Sequence, residues 1–342
     1  MTSTLIIGNH LSAHGRSPTA CEELSARLAA GGWPVLTASN RLHPALRLGD
    51  MVGAVLLRRT EYQVAQVDVY SGRAFLWAEA VCAALRACGK PFVLTLHGGA
   101  LPEMARREGA RVARLLRAAA AVTAPSRYLR HAFSTMRPDL ELLPNALDLA
   151  AYRFRPRRRP EPRLIWLRAF HEIYDSILAV ETLAELNAEM PGATLTMIGP
   201  DKGDGSLERS RGRARELALT DSVSFPGRVN KRDVPSQLEQ GDIFINTSRI
   251  DNTPVSVLEA MAAGMCIVST GVGGIPDLLE DGVDALLVPA GNPRAMADAI
   301  RRIRREPDLA EQLSRNARRK VSAFDWSAIL PRWQRILAEA AA

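Results

Sequence analysis

The chain has 342 residues, 47% of them apolar and 24% charged, a composition typical of a globular protein with about two domains. Its formal net charge is +7, and almost all of its positive charges are arginines. With only 5% aromatic residues and no zinc-finger, RRM or KH pattern, a nucleic-acid partner is disfavoured. No apolar run approaches the roughly 18 residues of a membrane span, and the first residues lack the features of a secretory signal. We therefore expect a cytoplasmic protein.

Strand-length apolar runs alternate with helical periodicity in the first half of the chain. Ser17 and Pro18 are predicted to begin the first helix, as N-cap and first helical residue. Further helices are predicted over 73–88, over 103–119, and from a cap at Ser126 to about Ser134. The predicted strands are Leu5–Ile7, Val35–Thr37, Ala54–Leu57, Val67–Tyr70, Phe92–Leu96 and Ala121–Ala124. This alternation predicts a parallel, doubly wound sheet.

A Pro- and Arg-rich stretch near residue 150 divides the pattern. It is predicted as a linker over 151–162, between a first domain over 1–150 and a second over 163–322, with a C-terminal helix over 323–342 that could return to the first domain. The second set of predicted strands is Leu164–Leu167, Thr194–Ile198, Ser222–Phe225, Ile243–Asn246, Cys266–Ser269 and Ala285–Val288. Two Rossmann-like α/β domains facing a cleft are therefore expected, and such clefts favour ligands.

The most informative stretch is Asp251 to Asp277 (DNTPVSVLEAMAAGMCIVSTGVGGIPD). Thr253 followed by proline predicts a helix start, which places Glu259 in the second turn and a helix end at Gly264. A carboxylate among apolar neighbours needs polar partners, and ribose hydroxyls would serve. The glycine pair before the next helix would expose backbone N–H groups suited to a diphosphate. An ordinary βα unit with a glycine turn and a surface glutamate explains the same residues equally simply.

The stretch resembles the signature of family 4 retaining glycosyltransferases of the GT-B fold (group 1 glycosyltransferases). Two acidic residues with seven others between them precede AMA-x-G and GG-x-P-[ED], as in Asp251, Glu259 to Gly264 and Gly273 to Asp277. Similar family segments recur along the chain: VLTLHG ending at Gly98, LPNALD ending at Asp148, FPGRV ending at Val229, and FDW ending at Trp326.

The resemblance implies a retaining, hexosyltransferase-type enzyme of class EC 2.4, of the kind used in polysaccharide biosynthesis. It would take a nucleoside-diphosphate sugar as donor and a hydroxyl acceptor, with no cofactor and no metal. The donor residues implied are Arg168, Arg228, Val229, Asp251, Asn252, Thr253, Pro254, Glu259, Gly273 and Gly274. His97, Arg168 and Asp251 are implied as catalytic. The second domain would bind the donor and the first the acceptor, with closure expelling water.

Two departures from the family pattern concern the donor, one at its sugar and one at its diphosphate. The first acidic residue is Asp251, one methylene shorter than the usual glutamate. The family's arginine–lysine clamp keeps Arg168 but lacks the lysine, with Ile173 or Tyr174 near its place. Loss of a cation there would weaken leaving-group stabilisation, unless His171 or another arginine substitutes.

Three further features concern the acceptor and the compartment. The first βα loop has Gly15 and Arg16 where the family has a glycine pair, and these two are predicted to contact acceptor or phosphate. Arginines repeat at helical spacing from Arg106 to Arg117, which is typical of a solvated face; the alternative is docking to anionic lipid or to a phosphorylated, lipid-linked acceptor. The cysteines at 21, 82, 88 and 266 show no metal or redox spacing and are expected to be buried and reduced.

Three functions remain open from the sequence. The first is sugar transfer with retention. The second is a catalytically silent nucleotide-sugar-binding or scaffold subunit, motivated by Asp251 and the absent clamp lysine. The third is a phosphorylase or sugar-nucleotide epimerase on the same fold. Sugar, base and acceptor are not identified by the sequence.

Overall fold

The computed structural model describes residues 2–15 and 18–342, which form two compact units. The first unit comprises Met1–Ala146 and Trp326–Ala342, and the second comprises Leu147–Asp325. Each unit contains one six-stranded sheet in which all strand pairs are parallel. The predicted α/β class with two parallel sheets is confirmed.

In the first unit the sheet order is β2-β1-β3-β4-β5-β6. Its strands are Thr4–Ile7 (β1), Val35–Ala38 (β2), Val64–Val69 (β3), Phe92–Leu96 (β4), Ala121–Ala124 (β5) and Glu141–Leu142 (β6). Its first six helices are Ala20–Ala30 (α1), Pro44–Leu57 (α2), Arg73–Ala87 (α3), Leu101–Arg107 (α4), Gly109–Ala118 (α5) and Arg127–Phe133 (α6). The chain leaves β1 to form β2 on one side and then crosses to β3 on the other. The β1–β3 gap is therefore the switch point, where parallel sheets place ligands.

In the second unit the sheet order is β12-β11-β10-β7-β8-β9. Its strands are Arg163–Leu167 (β7), Thr194–Ile198 (β8), Val223–Gly227 (β9), Ile243–Asn246 (β10), Cys266–Thr270 (β11) and Leu286–Val288 (β12). Its helices are Ser176–Asn187 (α7), Ser206–Glu216 (α8), Val234–Glu239 (α9), Val255–Ala263 (α10), Ile275–Leu278 (α11), Pro293–Arg305 (α12) and Pro307–Val321 (α13). Here the switch point lies between β7 and β10.

The last helix, Trp326–Ala341 (α14), belongs to the first unit. Its buried face, including Trp326, Trp333 and Leu337, packs with Ile6 and Leu28 in one apolar cluster. The segment predicted as a linker belongs to the second unit: Arg157 is only 4% exposed and donates to carbonyl oxygens of the second unit, among them that of Gly241.

Several predicted elements differ from the structure. The strand predicted over Ala54–Leu57 is wrong, because those residues are the last turn of α2, a helix that begins with Pro44; a short apolar run does not distinguish a strand from a buried helix. The first helix begins at Ala20 and not at Pro18. Thr19 is its N-cap, in a capping box with Glu22, and Ser17 lies outside the described residues. The helix predicted over 103–119 is two helices, α4 and α5.

Three of the four cysteines behave as predicted. Cys21, Cys82 and Cys266 are buried, Cys88 is half-buried, and all four are free thiols. Burial raises the pKa of Cys82 and that of Cys266 to about 12, which makes both thiols poor nucleophiles at neutral pH.

Candidate functional site

An ion pair lies at the switch point of the second unit. Arg168 follows β7 and Asp251 follows β10, so adjacent strand ends bring the guanidinium and the carboxylate into contact. Ser248 Oγ donates to Asp251 Oδ2 at 2.9 Å, and the Asn252 N–H donates to Asp251 Oδ1 at 2.9 Å. Both carboxylate oxygens of Asp251 therefore accept hydrogen bonds. The departure from glutamate leaves a carboxylate that still reaches the arginine.

Arg168 keeps its charge in this buried place. Burial opposes that charge most strongly, but the attraction and hydrogen bond of Asp251, together with the nearby Tyr174 and Glu259, outweigh burial and hold the pKa of the guanidinium above its ordinary value. The guanidinium carbon also lies 4.2 Å from the centre of the Tyr174 ring, within cation–π distance. Tyr174, near the place of the absent lysine, thus supports the remaining cation.

One N–H of Arg168 remains without a partner. Its Nε atom is buried and makes no hydrogen bond within residues 2–15 and 18–342. A buried donor left unpaired costs about 1–3 kcal/mol, more for a charged group. A guanidinium donates in a fixed planar fork that suits phosphate oxygens, so an anion bound there would satisfy this donor.

The glycine pair packs directly on the chain that carries Asp251. A Cβ on Gly273 would overlap the carbonyl oxygen of Asp251, and a Cβ on Gly274 would overlap that of Asn252. The Gly274 N–H donates to the Asp251 oxygen at 3.0 Å. Helix α11 has only four residues. The pair is therefore required by close backbone packing, and the Gly274 N–H is already engaged.

Glu259 lies in the second turn of α10, as predicted, and is 3% exposed. Two donors converge on its Oε1 atom: the Tyr152 hydroxyl at 2.8 Å and Lys231 Nζ at 2.5 Å. These partners account for a carboxylate within an apolar helix. Neither Tyr152 nor Lys231 was selected from the sequence.

The other donor residues predicted from the resemblance surround α10. Asn252, Thr253 and Pro254 are buried, and the helix begins at Val255 with Pro254 as N-cap, so the predicted cap at Thr253 is wrong by one residue. Helix α10 ends at Gly264 in the left-handed conformation, as predicted. Arg228 is exposed directly after β9, and Val229 packs half-buried against the cluster that contains Val257 and Met261.

His171, considered as a substitute for the clamp lysine, faces its own turn. Its Nδ1 atom accepts from the Ile173 N–H at 3.3 Å, and its ring meets Tyr174 edge-on at 6.4 Å.

The first unit contains a second polar group, at the ends of β3 and β4 beside its switch point. His97 directly follows β4 and is 9% exposed. Its Nε2 atom donates to Asp68 Oδ1 at 2.9 Å, and its ring stacks on Tyr70 at 4.9 Å. Gln66 Nε2 donates to the same oxygen of Asp68 at 2.9 Å. These contacts fix the orientation of the imidazole.

Asp68 is an ionised carboxylate in this group. Burial opposes its ionisation, but the attraction and hydrogen bond of His97 and the hydrogen bond of Gln66 outweigh burial, so the pKa of Asp68 lies below its ordinary value. Its Oδ2 atom lies on the side of Gly8, where a Cβ would come within 2.8 Å of it. Asp68, Asn9 and Trp77 line a small cavity at this edge of the sheet.

Two predictions on the first unit stay predictions. Gly15 has φ 72° and ends a short 3-10 turn, so its glycine is explained by the turn, and Arg16 lies outside the described residues. The arginine stripe is largely paired: Arg106 and Arg107 bind Glu103, and Arg111 binds Glu79 and Glu108.

Two family models match the chain in succession. The model described as glycosyltransferase family 4 matches residues 10–151, and that described as glycosyl transferases group 1 matches residues 160–320. Together they span most of the chain. The chain belongs to the group 1 glycosyltransferase family.

Two curated relatives each match this chain over only part of their own length. Alpha-D-kanosaminyltransferase of Streptomyces kanamyceticus is 30% identical over 138 residues, 40% of this chain and 35% of that protein. Glycogen synthase of Mycobacterium tuberculosis is 27% identical over 198 residues, 56% of this chain and 46% of that protein. The chain thus spans less than half the length of these curated relatives.

The fold is shared over the whole chain with a solved structure. The Anabaena protein HepE, in complex with UDP and glucose, superposes with a TM-score of 0.80 at 19% identity, covering 99% of this chain and 100% of that chain. This likeness shows the fold predicted for the group 1 glycosyltransferase.

Two findings concern metals and membranes. In the part of the chain that the structure describes, no three His, Cys, Asp or Glu side chains are grouped as a metal site would need. None of the described helices is long and apolar enough to cross a membrane. Metal independence and a cytoplasmic location stay predictions.

Proposed function

We propose that the protein transfers a sugar from a nucleoside-diphosphate sugar to an acceptor hydroxyl, with retention at the anomeric carbon. The observation that carries the proposal is the buried Nε–H of Arg168 beside the Asp251 ion pair. A cation held at a switch point, with a donor left to satisfy, suits a diphosphate. Because the chain belongs to the glycosyltransferase family, we infer that this anion is the diphosphate of a nucleotide sugar.

On the donor side, Arg168 binds the diphosphate and Glu259 binds the ribose. As the bond from the anomeric carbon to the diphosphate oxygen breaks, negative charge grows on the departing diphosphate, and a preorganised cation stabilises it. With retention, the acceptor oxygen bonds to the anomeric carbon on the face that the diphosphate leaves, and the acceptor hydroxyl proton passes to the departing diphosphate oxygen. No metal and no cofactor take part in this proposal.

Lys231 is the second cation of the proposed donor site. Its Nζ atom lies on Glu259, and the charge of Glu259 also acts on Arg168. A flexible lysine side chain, 29% exposed, can move from the glutamate to a phosphate oxygen when the ribose hydroxyls take its place. Lys231 would thus supply the positive charge that the family places on the clamp lysine.

On the acceptor side, His97 contacts the reacting sugar or the acceptor hydroxyl. Asp68 fixes the ring through Nε2, which leaves Nδ1 as the nitrogen for this contact. Asp68 acts through His97 and is therefore a positioning residue. The acceptor belongs to the glycan, lipid-linked or small-molecule hydroxyls, and peripheral membrane contact is proposed for the lipid-linked class.

Turnover decides between this function and the alternatives. Purified protein is incubated with UDP-, GDP- and ADP-sugars, with and without candidate acceptors, and products are followed by NMR of the anomeric proton. Transfer with retained configuration is expected, reduced at least about tenfold in Arg168→Gln, since one donor to the transition state is typically worth 100-fold or more. Arg209→Gln, an exposed arginine of α8, is the matched control.

Each alternative has its own product pattern. Binding of donor without turnover would support the scaffold subunit. Release of an altered nucleotide sugar without acceptor would support an epimerase, and a sugar phosphate formed only with inorganic phosphate would support a phosphorylase.

A further inference from the structure

The exposed large apolar side chains of the first unit are concentrated on and beside helix α2. Leu46 is 65% exposed and Leu57 is 85% exposed, at opposite ends of the helix. The full set comprises Leu42, Leu46, Leu56, Leu57 and, on the neighbouring helix α3, Leu76. We call these five leucines the α2 apolar face. Single exposed leucines are ordinary, but a cluster on one helix is not.

Helical geometry places these residues opposite the core. Arg47, Met51 and Val55 are the buried residues of α2, and they mark its inner side. Leu46, Leu56 and Leu57 lie on the other side, and between them lie two glycines, at 49 and 53, and one half-buried acidic residue, Asp50. Apart from Asp50, the outer side therefore presents leucine and bare backbone, where a surface helix normally presents several charges.

The inner side holds the helix in this orientation. The Arg47 guanidinium donates to the carbonyl oxygens of Arg41 at 2.7 Å and Leu42 at 2.8 Å, and to Asn9 Oδ1 at 2.9 Å. The guanidinium carbon also lies 5.4 Å from the centre of the Trp77 ring. These contacts fix the orientation of the N-terminal end of α2, so the fold itself holds the leucines at the surface.

The rim of the α2 apolar face is basic. Arg41 and Arg59 are exposed at the two ends of the helix, and Arg73 is exposed at the start of α3. Arg58, at the C-terminal end, is paired with Glu61. Apolar side chains surrounded by arginine are typical of surfaces that bind an anionic bilayer.

The geometry points to the α2 apolar face as a docking surface for an anionic lipid bilayer, into which its leucines insert. A second copy of this chain fits less well, because a symmetric interface would set the arginines of one rim against those of the other. An anionic headgroup layer complements both the leucines and the arginines.

Docking through α2 would also serve the acceptor side. The inner side of α2 contributes Met51 to the cavity that Asp68 and Trp77 line, so the helix that contacts lipid also borders the proposed acceptor group. A lipid-linked acceptor would thus be delivered from the bilayer to the first unit. This step rests on the proposed function, whereas bilayer docking does not.

Vesicle binding tests the inference without any substrate. The full chain is sedimented with vesicles of phosphatidylcholine alone and of phosphatidylcholine mixed with phosphatidylglycerol. Binding only to the anionic vesicles is expected, and it should weaken at about 0.5 M salt, where exposed charges are largely screened. The double variant Leu46→Glu with Leu57→Glu should lose at least about tenfold in partition, and Arg59→Glu about fivefold or more.

Matched controls come from the second unit. Ile250→Glu alters a 48% exposed isoleucine, and Arg319→Glu alters an exposed arginine; both should bind vesicles as the unaltered protein does. Thermal unfolding checks that each variant is folded. Equal loss in controls and α2 variants, or no binding of the unaltered protein to anionic vesicles, would overturn the inference.

Two further measurements separate the remaining outcomes. Sedimentation equilibrium without vesicles should give a monomer; a dimer that the double leucine variant dissociates would assign the face to a second copy and overturn bilayer docking. Nucleotide titration of the same variants should match the unaltered protein. If the protein binds nucleotide but not vesicles, only the docking surface is refuted. If it binds vesicles but not nucleotide, only the proposed function is refuted.

Discussion

Replacing Asp251 by asparagine removes the charge that compensates Arg168 and keeps the shape of the side chain. The Arg168 side chain is 17% exposed and that of Asp251 is 9% exposed, so little solvent replaces the lost partner. Breaking a buried pair in this way costs about 3–5 kcal/mol. The Tyr174 ring and the hydrogen bond from Asn252 persist, which favours the lower end. We expect a loss of about 3 kcal/mol in the free energy of unfolding of the second unit.

Urea unfolding followed by circular dichroism measures this loss. With a denaturant dependence of about 2–3 kcal/mol/M, typical of small domains, the midpoint of the second unit should fall by about 1 M. Asp277→Asn, which alters an exposed carboxylate of the same sequence stretch, should shift it by less than about 0.5 kcal/mol. An unchanged midpoint for Asp251→Asn would refute the view that the ion pair stabilises the unit.

Three further changes test other parts of the two sites. Lys231→Met should weaken binding of the donor nucleotide about tenfold by calorimetric titration, as loss of one charged contact predicts, whereas Arg232→Met, at the exposed neighbouring position, should not; equal effects would refute a specific role. Because the folded-state pKa of Asp68 lies below its ordinary value, its carboxylate stabilises the fold above about pH 4, and this stability is lost as pH falls through the folded pKa. Asp68→Asn should therefore flatten the acid limb of a stability–pH curve, and an unchanged limb would contradict this. Gly274→Ala should destabilise by about 2 kcal/mol or more in urea unfolding, because its Cβ would strike a backbone oxygen, whereas Gly271→Ala, with its nearest neighbour at 3.9 Å, should not.

Most of the sheet and part of the site could be predicted from the sequence. The strands Phe92–Leu96, Thr194–Ile198 and Ile243–Asn246 were predicted with the observed bounds, because buried parallel strands are continuous apolar runs. The predicted strand over Ala54–Leu57 failed because the end of a helix can have the same continuous apolar composition, even where its leucines are exposed.

The partners of the site residues could not be predicted. Glu259 was found by its spacing from Asp251, but Lys231 and Tyr152 come from distant segments and meet it only through the fold. The contact between Asp68 and His97 could not be predicted either, because it arises from the parallel pairing of β3 with β4. A carboxylate buried among apolar residues does imply a polar partner. Because the chain has few lysines, each of them could have been considered as the partner of Glu259.

The glycine pair has a structural cause that differs from the predicted one. The sequence suggested free backbone N–H groups at a helix start. In the structure Gly273 and Gly274 allow two backbone segments to touch, and the Gly274 N–H binds the Asp251 oxygen. Such close packing depends on the register of two loops, which no local pattern encodes.

Glu259 is the proposed ribose partner in the donor site, and one titration tests that site most directly. Calorimetric titration of UDP, GDP and ADP, and of their sugars, is performed on the unaltered protein, on Glu259→Ala and on the exposed control Glu280→Ala. One nucleotide series should bind the unaltered protein and the control equally, and bind Glu259→Ala at least about tenfold more weakly, because the ribose hydroxyls lose a charged acceptor. Absence of nucleotide binding, or Glu259→Ala binding as tightly as the unaltered protein, would contradict the account.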